Sequence, residues 1–185
     1  MKIAVHQPYL FPYPGYFKLI ASVDKFVFGD DYQFIKGGYI NRNFFPELFT
    51  FRLRKHSNYD KIKDIYFKDI EEDKKIFKRK FNLGVDRFFD ELRQEDSISV
   101  NIARVTRKIC DEMGIKTPFY FTSDIPHRKF SDGIVDIVKS LGGDTYVNAP
   151  GGRKLYNQEM FGDIKLDFIR TKPSPSILCK ICVTP

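Results

Sequence analysis

The sequence lacks features that mark several whole classes of protein. Its 185 residues include three cysteines, too few for the disulfide framework of a secreted domain. No stretch approaches the roughly 20 consecutive apolar residues of a transmembrane helix. Residues 1–5 form a strand-like run without the long apolar region of a signal peptide. We therefore predict a cytoplasmic protein that does not bind membranes.

Motifs of several functional classes are also missing. The sequence has no internal repeat, zinc-finger spacing, helix-turn-helix signature or RNP-type aromatic motif, which argues against nucleic acid as a partner. It has no Gly-x-Ser-x-Gly elbow, so serine hydrolysis has no support. The net charge of +7 fits either a solvated basic surface or a small anionic substrate.

The main pattern that is present is an alternation of strands and helices. A strand at 2–6, a helix at 16–23 and a strand at 25–28 form a βαβ unit, which predicts a parallel pair. Further strands are predicted at 118–121, 145–148 and 165–170, and further helices at 97–113 and from residue 131. This order predicts an α/β fold with a three-layer, open, mostly parallel sheet.

The middle of the chain is less regular. Two strands turning at residues 46–47, within 37–45 and 48–54, predict a small β excursion from the main sheet. A further strand at 62–67 and helices at 69–82 and 85–94 predict a helical insertion beside it.

Three polar, glycine-bearing loops follow predicted strands, at residues 6–16, 30–43 and 148–156. Because ligands of open α/β sheets bind at the carboxyl ends of parallel strands, we expect these loops to meet in one site. The residues fit acid–base chemistry and anion binding, although each loop also fits a simple structural turn. The candidate catalytic residues are His6, Asp30 and Asp31, and the candidate substrate-binding residues are Gln7, Tyr13, Gly15, Tyr16, Gln33, Lys36, Asn41, Arg42, Asn43, Asn148, Gly151, Gly152 and Tyr156.

The role of each group stays open at this point. His6 is either a base or a buried histidine bonded to a neighbouring loop, and Asp30 or Asp31 is either a base or a metal ligand. Lys36 and Arg42 suit phosphate or carboxylate. We assign no metal site, and the cofactor and oligomeric state are left undetermined.

Four blocks of sequence together resemble the WbqC-like protein family. They are His-Gln-Pro-Tyr-Leu-Phe-Pro-Tyr-Pro-Gly-Tyr-Phe at 6–17, the segment 26–36, Asn-Arg-Asn at 41–43, and Tyr-Val-Asn-Ala-Pro-Gly-Gly at 146–152. Family members are associated with bacterial surface-polysaccharide (O-antigen) clusters. Our leading hypothesis is a transferase of polysaccharide biosynthesis that acts on an amino sugar, carried as a nucleotide sugar or sugar phosphate, with an acyl or aminoacyl donor. The resemblance itself implies amino-sugar or nucleotide-sugar modification without fixing the reaction. It also implies one WbqC-like domain over 1–173, followed by a divergent tail at 174–185 that a truncation would explain.

The first 28 residues are also distantly similar to the nucleotidylyltransferase and pantothenate synthetase superfamily, which has a Rossmann-like sheet. The two histidines of that superfamily's phosphate-binding signature would be Tyr13 and Tyr16 here. A tyrosine cannot carry the imidazolium charge that stabilises a transferring phosphoryl group. Two alternatives therefore accompany the transferase: a nucleotide-dependent ligase or nucleotidyltransferase, and a noncatalytic binding or scaffold protein of polysaccharide assembly.

Overall fold

Chain segments that are distant in sequence pack into two units. The computed structural model describes residues 1–45, 47–172 and 174–181. The sheet unit comprises Met1–Gln7, Gly15–Gly29 and Ile115–Pro173, and the insertion unit comprises Pro8–Pro14, Asp30–Gly114 and Ser174–Pro185. The single domain over residues 1–173 stays a prediction.

The strands in chain order are β1 (Lys2–His6), β2 (Lys25–Phe28), β3 (Arg42–Phe44), β4 (Leu48–Thr50), β5 (Phe119–Phe121), β6 (Thr145–Asn148) and β7 (Lys165–Phe168). The helices are α1 (Pro14–Ala21), α2 (Ile70–Phe81), α3 (Asp86–Phe89), α4 (Ile98–Glu112), α5 (Phe130–Ser140) and α6 (Leu178–Ile181). None of the helices in the described part of the chain has both the length and the apolar character needed to cross a membrane.

The sheet unit contains a five-stranded sheet in the order β5-β2-β1-β6-β7. Every neighbouring pair in it is parallel. The chain builds outward from β1 to β2 and β5, then returns through α5 to place β6 on the other side of β1. The predicted α/β fold with an open parallel sheet is thus confirmed, and the strand order reverses between β1 and β6.

Helices cover both faces of this sheet, as a three-layer arrangement requires. On one face the ring of Tyr16 in α1 lies 5.4 Å from that of Phe26 in β2. Phe26 is aligned with Ala4, so Ile3 points to the opposite face, because side chains alternate along a strand. On that opposite face, the side chains of Ile3 and of Val138 in α5 both lie against Gly143. A Cβ added at Gly143 would lie 2.6 Å from Ile3 Cδ1.

Helix α1 begins two residues earlier than the sequence predicted. Its first residue is Pro14, whereas the prediction placed the start at Tyr16 because three prolines precede it. Proline is tolerated in the first helical turn, since its missing N–H has no intrahelical partner there. The helix therefore brings Gly15 and Tyr16 into its first turn, where both are buried.

The insertion unit contains the predicted hairpin in a shorter form. Strands β3 and β4 pair antiparallel over three residues each, with Asn43 opposite Phe49. Pro46, in the predicted turn, lies outside the described residues. The prediction of a strand at 62–67 was wrong: Ile62–Asp64 form a 3₁₀ turn. The amides of Ile62 and Lys63 donate to the carbonyls of Tyr32 and Asp30, so this backbone is bonded to a loop rather than to a strand.

A cluster of phenylalanine rings fills the insertion unit. Phe77 of α2 is fully buried, and its ring lies 4.9 Å from Phe45, 5.0 Å from Phe89 and 4.8 Å from Phe81. The cluster comprises Phe11, Phe45, Phe49, Phe51, Phe67, Phe77, Phe81 and Phe89. Aromatic pairs add to the free energy of burial when their rings meet edge to face, so this cluster is the core of the unit.

The segment predicted to be a divergent tail packs into the insertion unit. Ser176 donates its hydroxyl to the carbonyl of Phe11 at 2.7 Å, and Ile177 N donates to the carbonyl of Pro12 at 2.8 Å. Ser176, Ile177 and Leu178 are buried. Residues 182–185 of the predicted tail lie outside the described residues.

Replacing Phe77 with alanine should lower the free energy of unfolding by about 3–5 kcal/mol, because it leaves a cavity among the packed rings. The matched control is Phe44→Ala in the same unit, where the side chain is 44% exposed and the loss should stay below about 1 kcal/mol. Urea unfolding followed by circular dichroism measures both. Equal losses for the two variants would contradict the assignment of the cluster as the core.

Candidate functional site

His6 ends the central strand and is oriented by its own chain. Its Nδ1 lies 3.1 Å from the carbonyl oxygen of Gln7, which can only accept, so Nδ1 carries the proton. The hydroxyl of Tyr16 donates to the same carbonyl at 2.9 Å. The rings of His6 and Tyr16 meet edge to face with centroids 5.0 Å apart. One carbonyl thus fixes both side chains and selects the tautomer of His6.

Burial lowers the pKa of His6 below its ordinary value of 6.5, and the hydrogen bond to Gln7 opposes this only in part. The ring is therefore neutral at neutral pH, and its Nε2 carries a lone pair. A neutral imidazole at the end of a strand has the protonation state of a general base.

Asn148 ends β6, the strand beside β1. Its Oδ1 accepts a hydrogen bond from Ala149 N at 2.7 Å, which shapes the start of the following loop. Gly152 in that loop lies against Asn148: a Cβ there would lie 2.3 Å from Asn148 Nδ2. The close approach of this side chain thus favours glycine at 152, whereas nothing lies within 4 Å of a Cβ at Gly151.

Tyr156 follows this loop and packs into the sheet unit. Its ring lies 6.0 Å from Tyr146 and 5.7 Å from Phe161. Burial raises the pKa of Tyr156, so its hydroxyl remains a hydrogen-bond donor at neutral pH. The structure thus brings together, in the sheet unit, the predicted residues His6, Gln7, Gly15, Tyr16, Asn148, Gly151, Gly152 and Tyr156.

The remaining predicted residues belong to the insertion unit: Tyr13, Asp30, Asp31, Gln33, Lys36, Asn41, Arg42 and Asn43. Several have structural partners there. Asn41 Nδ2 donates to the carbonyl of Phe51 at 2.7 Å, and Asn43 Nδ2 donates to that of Phe11 at 2.8 Å. Both asparagines are buried, so these bonds join the hairpin to the core of the unit.

Arg42 and Gln33 also bind backbone groups of their own unit. The guanidinium of Arg42 donates to the carbonyls of Gly37 and Gly38, closing the loop before β3. Gln33 donates to the carbonyl of Asn58 at 2.6 Å. Lys36 is exposed, and Asp30 is buried with its carbonyl bonded to Lys63 N. The roles of these residues in binding or catalysis stay predictions.

Tyr13 lies with Tyr9 and Tyr39 in the insertion unit, where the rings of Tyr9 and Tyr39 are 6.0 Å apart. Burial raises the pKa of Tyr13. Burial also raises the pKa of Tyr9, and the neighbouring Tyr13 and Tyr39 add to the shift. The hydroxyls of Tyr9 and Tyr13 therefore remain hydrogen-bond donors at neutral pH.

Sequence reasoning missed a cationic cleft in the sheet unit. The cleft has a volume of about 390 Å³ and is lined by Pro150, Arg153, Ile169, Arg170, Thr171 and Lys172. Pro150 and Arg153 lie in the loop after β6, and the other four residues directly follow β7. The signal was present in the basic residues that follow these strands, but only the pairing of β6 with β7 brings them together.

The described residues contain no group of three or more His, Cys, Asp or Glu side chains that could hold a metal ion.

Comparison with known proteins identifies a family. The family model described as the WbqC-like protein family matches residues 7–176. The chain is also 24% identical over 186 residues to the uncharacterized protein Rv1507c of Mycobacterium tuberculosis, covering 89% of this chain and 79% of that protein. No solved structure matches the chain.

Gly152→Ala should lower the free energy of unfolding by about 1–3 kcal/mol, because the new Cβ collides with Asn148 and forces the loop to move. Gly151→Ala is the matched control, since it adds the same methyl group one residue away in open space. Thermal unfolding measures both. A Gly152→Ala variant as stable as Gly151→Ala would contradict the close approach of Asn148.

The lowered pKa of His6 predicts a loss of stability on acidification. Because the fold favours the neutral ring, this contribution is complete above 6.5 and is lost as the pH falls through the folded-state pKa of His6. Urea unfolding between pH 8 and 5 should therefore show a smaller decline for His6→Gln than for the parent. Parallel declines would contradict the burial of a neutral ring.

Proposed function

This chain belongs to the WbqC-like protein family, and from that premise we propose that it is a cytoplasmic transferase of bacterial surface-glycan biosynthesis. Its substrate is a nucleotide-linked or phosphorylated amino sugar, and it transfers an acyl or aminoacyl group to the sugar's amine. The observation that carries the proposal is the neutral His6 at the carboxyl end of β1, where the strand order reverses beside β6.

The chemistry needs a base of this kind. The sugar amine attacks the carbonyl carbon of a thioester donor, and a C–N bond forms as the C–S bond breaks. The proton that the amine loses passes to Nε2 of His6 and then to the departing thiolate, which leaves as a thiol. The Gln7 carbonyl holds the protonated Nδ1, so Nε2 is the nitrogen that takes part.

The neutral state of His6 suits the role of a base in acyl transfer better than the role of the cation in nucleotidyl transfer. Transfer of a nucleotidyl group builds negative charge on phosphate oxygens, which a cationic group stabilises. Burial disfavours the imidazolium form of His6, and Tyr16 next to it supplies only a neutral hydroxyl. A nucleotide-dependent ligase remains the alternative that an assay must separate from acyl transfer.

The test is an assay of purified protein with UDP- and dTDP-linked amino sugars and a panel of acyl thioesters, following release of the thiol. His6→Gln should lower kcat by about 10²- to 10⁴-fold with little change in substrate binding. His127→Gln is the matched control, because Nδ1 of His127 also lies near a local carbonyl, 2.7 Å from Ile125 O. The acidic limb of kcat/KM should have its midpoint below 6.5.

Each other outcome contradicts a defined part of the proposal. Pyrophosphate release from a nucleoside triphosphate without thiol release would assign the nucleotidyltransferase alternative. If His6→Gln leaves the rate unchanged and Asp31→Asn lowers it strongly, the role of general base belongs to Asp31. Activity in the cell that survives both substitutions would point to a noncatalytic scaffold.

A further inference from the structure

We propose that the cationic cleft after β6 and β7 binds the diphosphate group of the substrate through Arg153, Arg170 and Lys172. This inference rests on the proposed function, since it names a substrate with a diphosphate linkage, such as a sugar nucleotide. It differs from the sequence-based prediction, which assigned anion binding to Lys36, Arg42 and residues 148–152.

The cleft lies where a substrate of this fold binds. Its residues follow the carboxyl ends of two adjacent parallel strands, β6 and β7, and β6 also borders β1. Ile169 N donates to the carbonyl of Asn148 at 3.0 Å, so the start of one cleft wall is bonded to the end of the neighbouring strand. The cleft is therefore built on the same edge of the sheet that carries His6.

The cations of the cleft have no ion-pair partner in the part of the chain that the structure describes. Among the described residues, no carboxylate lies within 4 Å of the charged groups of Arg153, Arg170 or Lys172, although five other arginines each reach one. Those five are Arg52, Arg54, Arg87, Arg104 and Arg128. Like charges that gather around a concave surface repel one another, so an anion that binds between them relieves this repulsion.

Two contacts hold the cleft walls in place. The guanidinium of Arg153 lies over the ring of Phe168 in β7, 4.4 Å from its centroid. Lys18 of α1 donates to the carbonyl of Arg170 at 2.9 Å, which attaches the segment after β7 to the helix. Because the Arg153 guanidinium and the backbone at Arg170 are held before a ligand arrives, binding costs less conformational entropy.

The size and charge of the cleft suit a diphosphate better than a single phosphate. Its volume of about 390 Å³ lies in the range of small-molecule pockets and exceeds the space that one phosphate fills. Each phosphate of a diphosphate linkage carries a negative charge, and the cations come from two loops. Arginine binds phosphate oxygens through two N–H groups at once, and Thr171 adds a hydroxyl donor.

The test is calorimetric titration of the full chain with UDP, inorganic pyrophosphate and inorganic phosphate at one low salt concentration. UDP and pyrophosphate should bind at least about tenfold more tightly than phosphate. The paired substitution Arg153→Gln with Arg170→Gln should weaken both by about a hundredfold, as lost charge-assisted hydrogen bonds predict. UDP tighter than pyrophosphate would indicate a nucleotide-linked ligand, and equal affinities would indicate recognition of the diphosphate alone.

Lys154→Gln is the matched control, because Lys154 is an exposed neighbour of Arg153 that does not line the cleft. It should change the affinity for UDP by less than about twofold. The Arg→Lys pair at 153 and 170 keeps the charge and should retain part of the binding. Circular dichroism and thermal unfolding must show that each variant is folded.

Two results would overturn the inference: UDP and pyrophosphate fail to bind the parent, or they bind the folded double variant as tightly as the parent. Failure of this inference is distinguishable from failure of the proposed function. Thiol release with an unchanged KM in the double variant would reject the cleft alone. Diphosphate binding that depends on both arginines, without transfer from any thioester, would reject acyl transfer alone.

Discussion

The parallel pairing of β1 with a neighbour on each side is the constraint on which the candidate chemistry depends. His6 is aligned with Phe28 of β2, and Ile3 with Tyr146 of β6. Because side chains alternate along a strand, a slip of one residue would turn His6 to the opposite face and away from Tyr16. The buried residues of β1 oppose such a slip, since Ile3, Ala4 and Val5 would all exchange faces. The core of the sheet therefore fixes the orientation of His6 at the carboxyl end of the central strand.

In the insertion unit, the surroundings of Phe11 likewise fix its conformation. This residue has φ of 49°, in the left-handed region that residues other than glycine seldom adopt. Its buried ring packs in the phenylalanine cluster, and its carbonyl accepts hydrogen bonds from Asn43 and from the hydroxyl of Ser176. Such a conformation persists only where its surroundings determine it, and here they come from three distant parts of the chain. The aromatic segment 8–14 is thus held by packing and by backbone bonds together.

Local patterns predicted most of the fold, and contacts between distant segments explain what they missed. The strands β1, β2 and β6 were recognisable as short apolar runs, and α4 by its apolar face from Ile98 to Ile109. The segment 62–67 has the composition of a strand, yet the amides of Ile62 and Lys63 bond to the loop after β2. Asn41 and Asn43 resemble ligand-binding residues in sequence, and only the fold reveals their bonds to buried carbonyls. The cleft could not be predicted because its two halves lie in separate loops.

The neutral histidine and the cationic cleft are shaped by different electrostatic effects. In the free protein, burial keeps the imidazole of His6 neutral, which preserves a lone pair but makes the ring a weak acceptor of protons. In the cleft, by contrast, Arg153, Arg170 and Lys172 gather positive charge that an anion would neutralise if it bound there as proposed. Burial thus sets the protonation state of His6, whereas the gathering of like charges sets the affinity of the cleft for an anion. The proposed acid–base chemistry and the proposed anion binding therefore rest on separate residues.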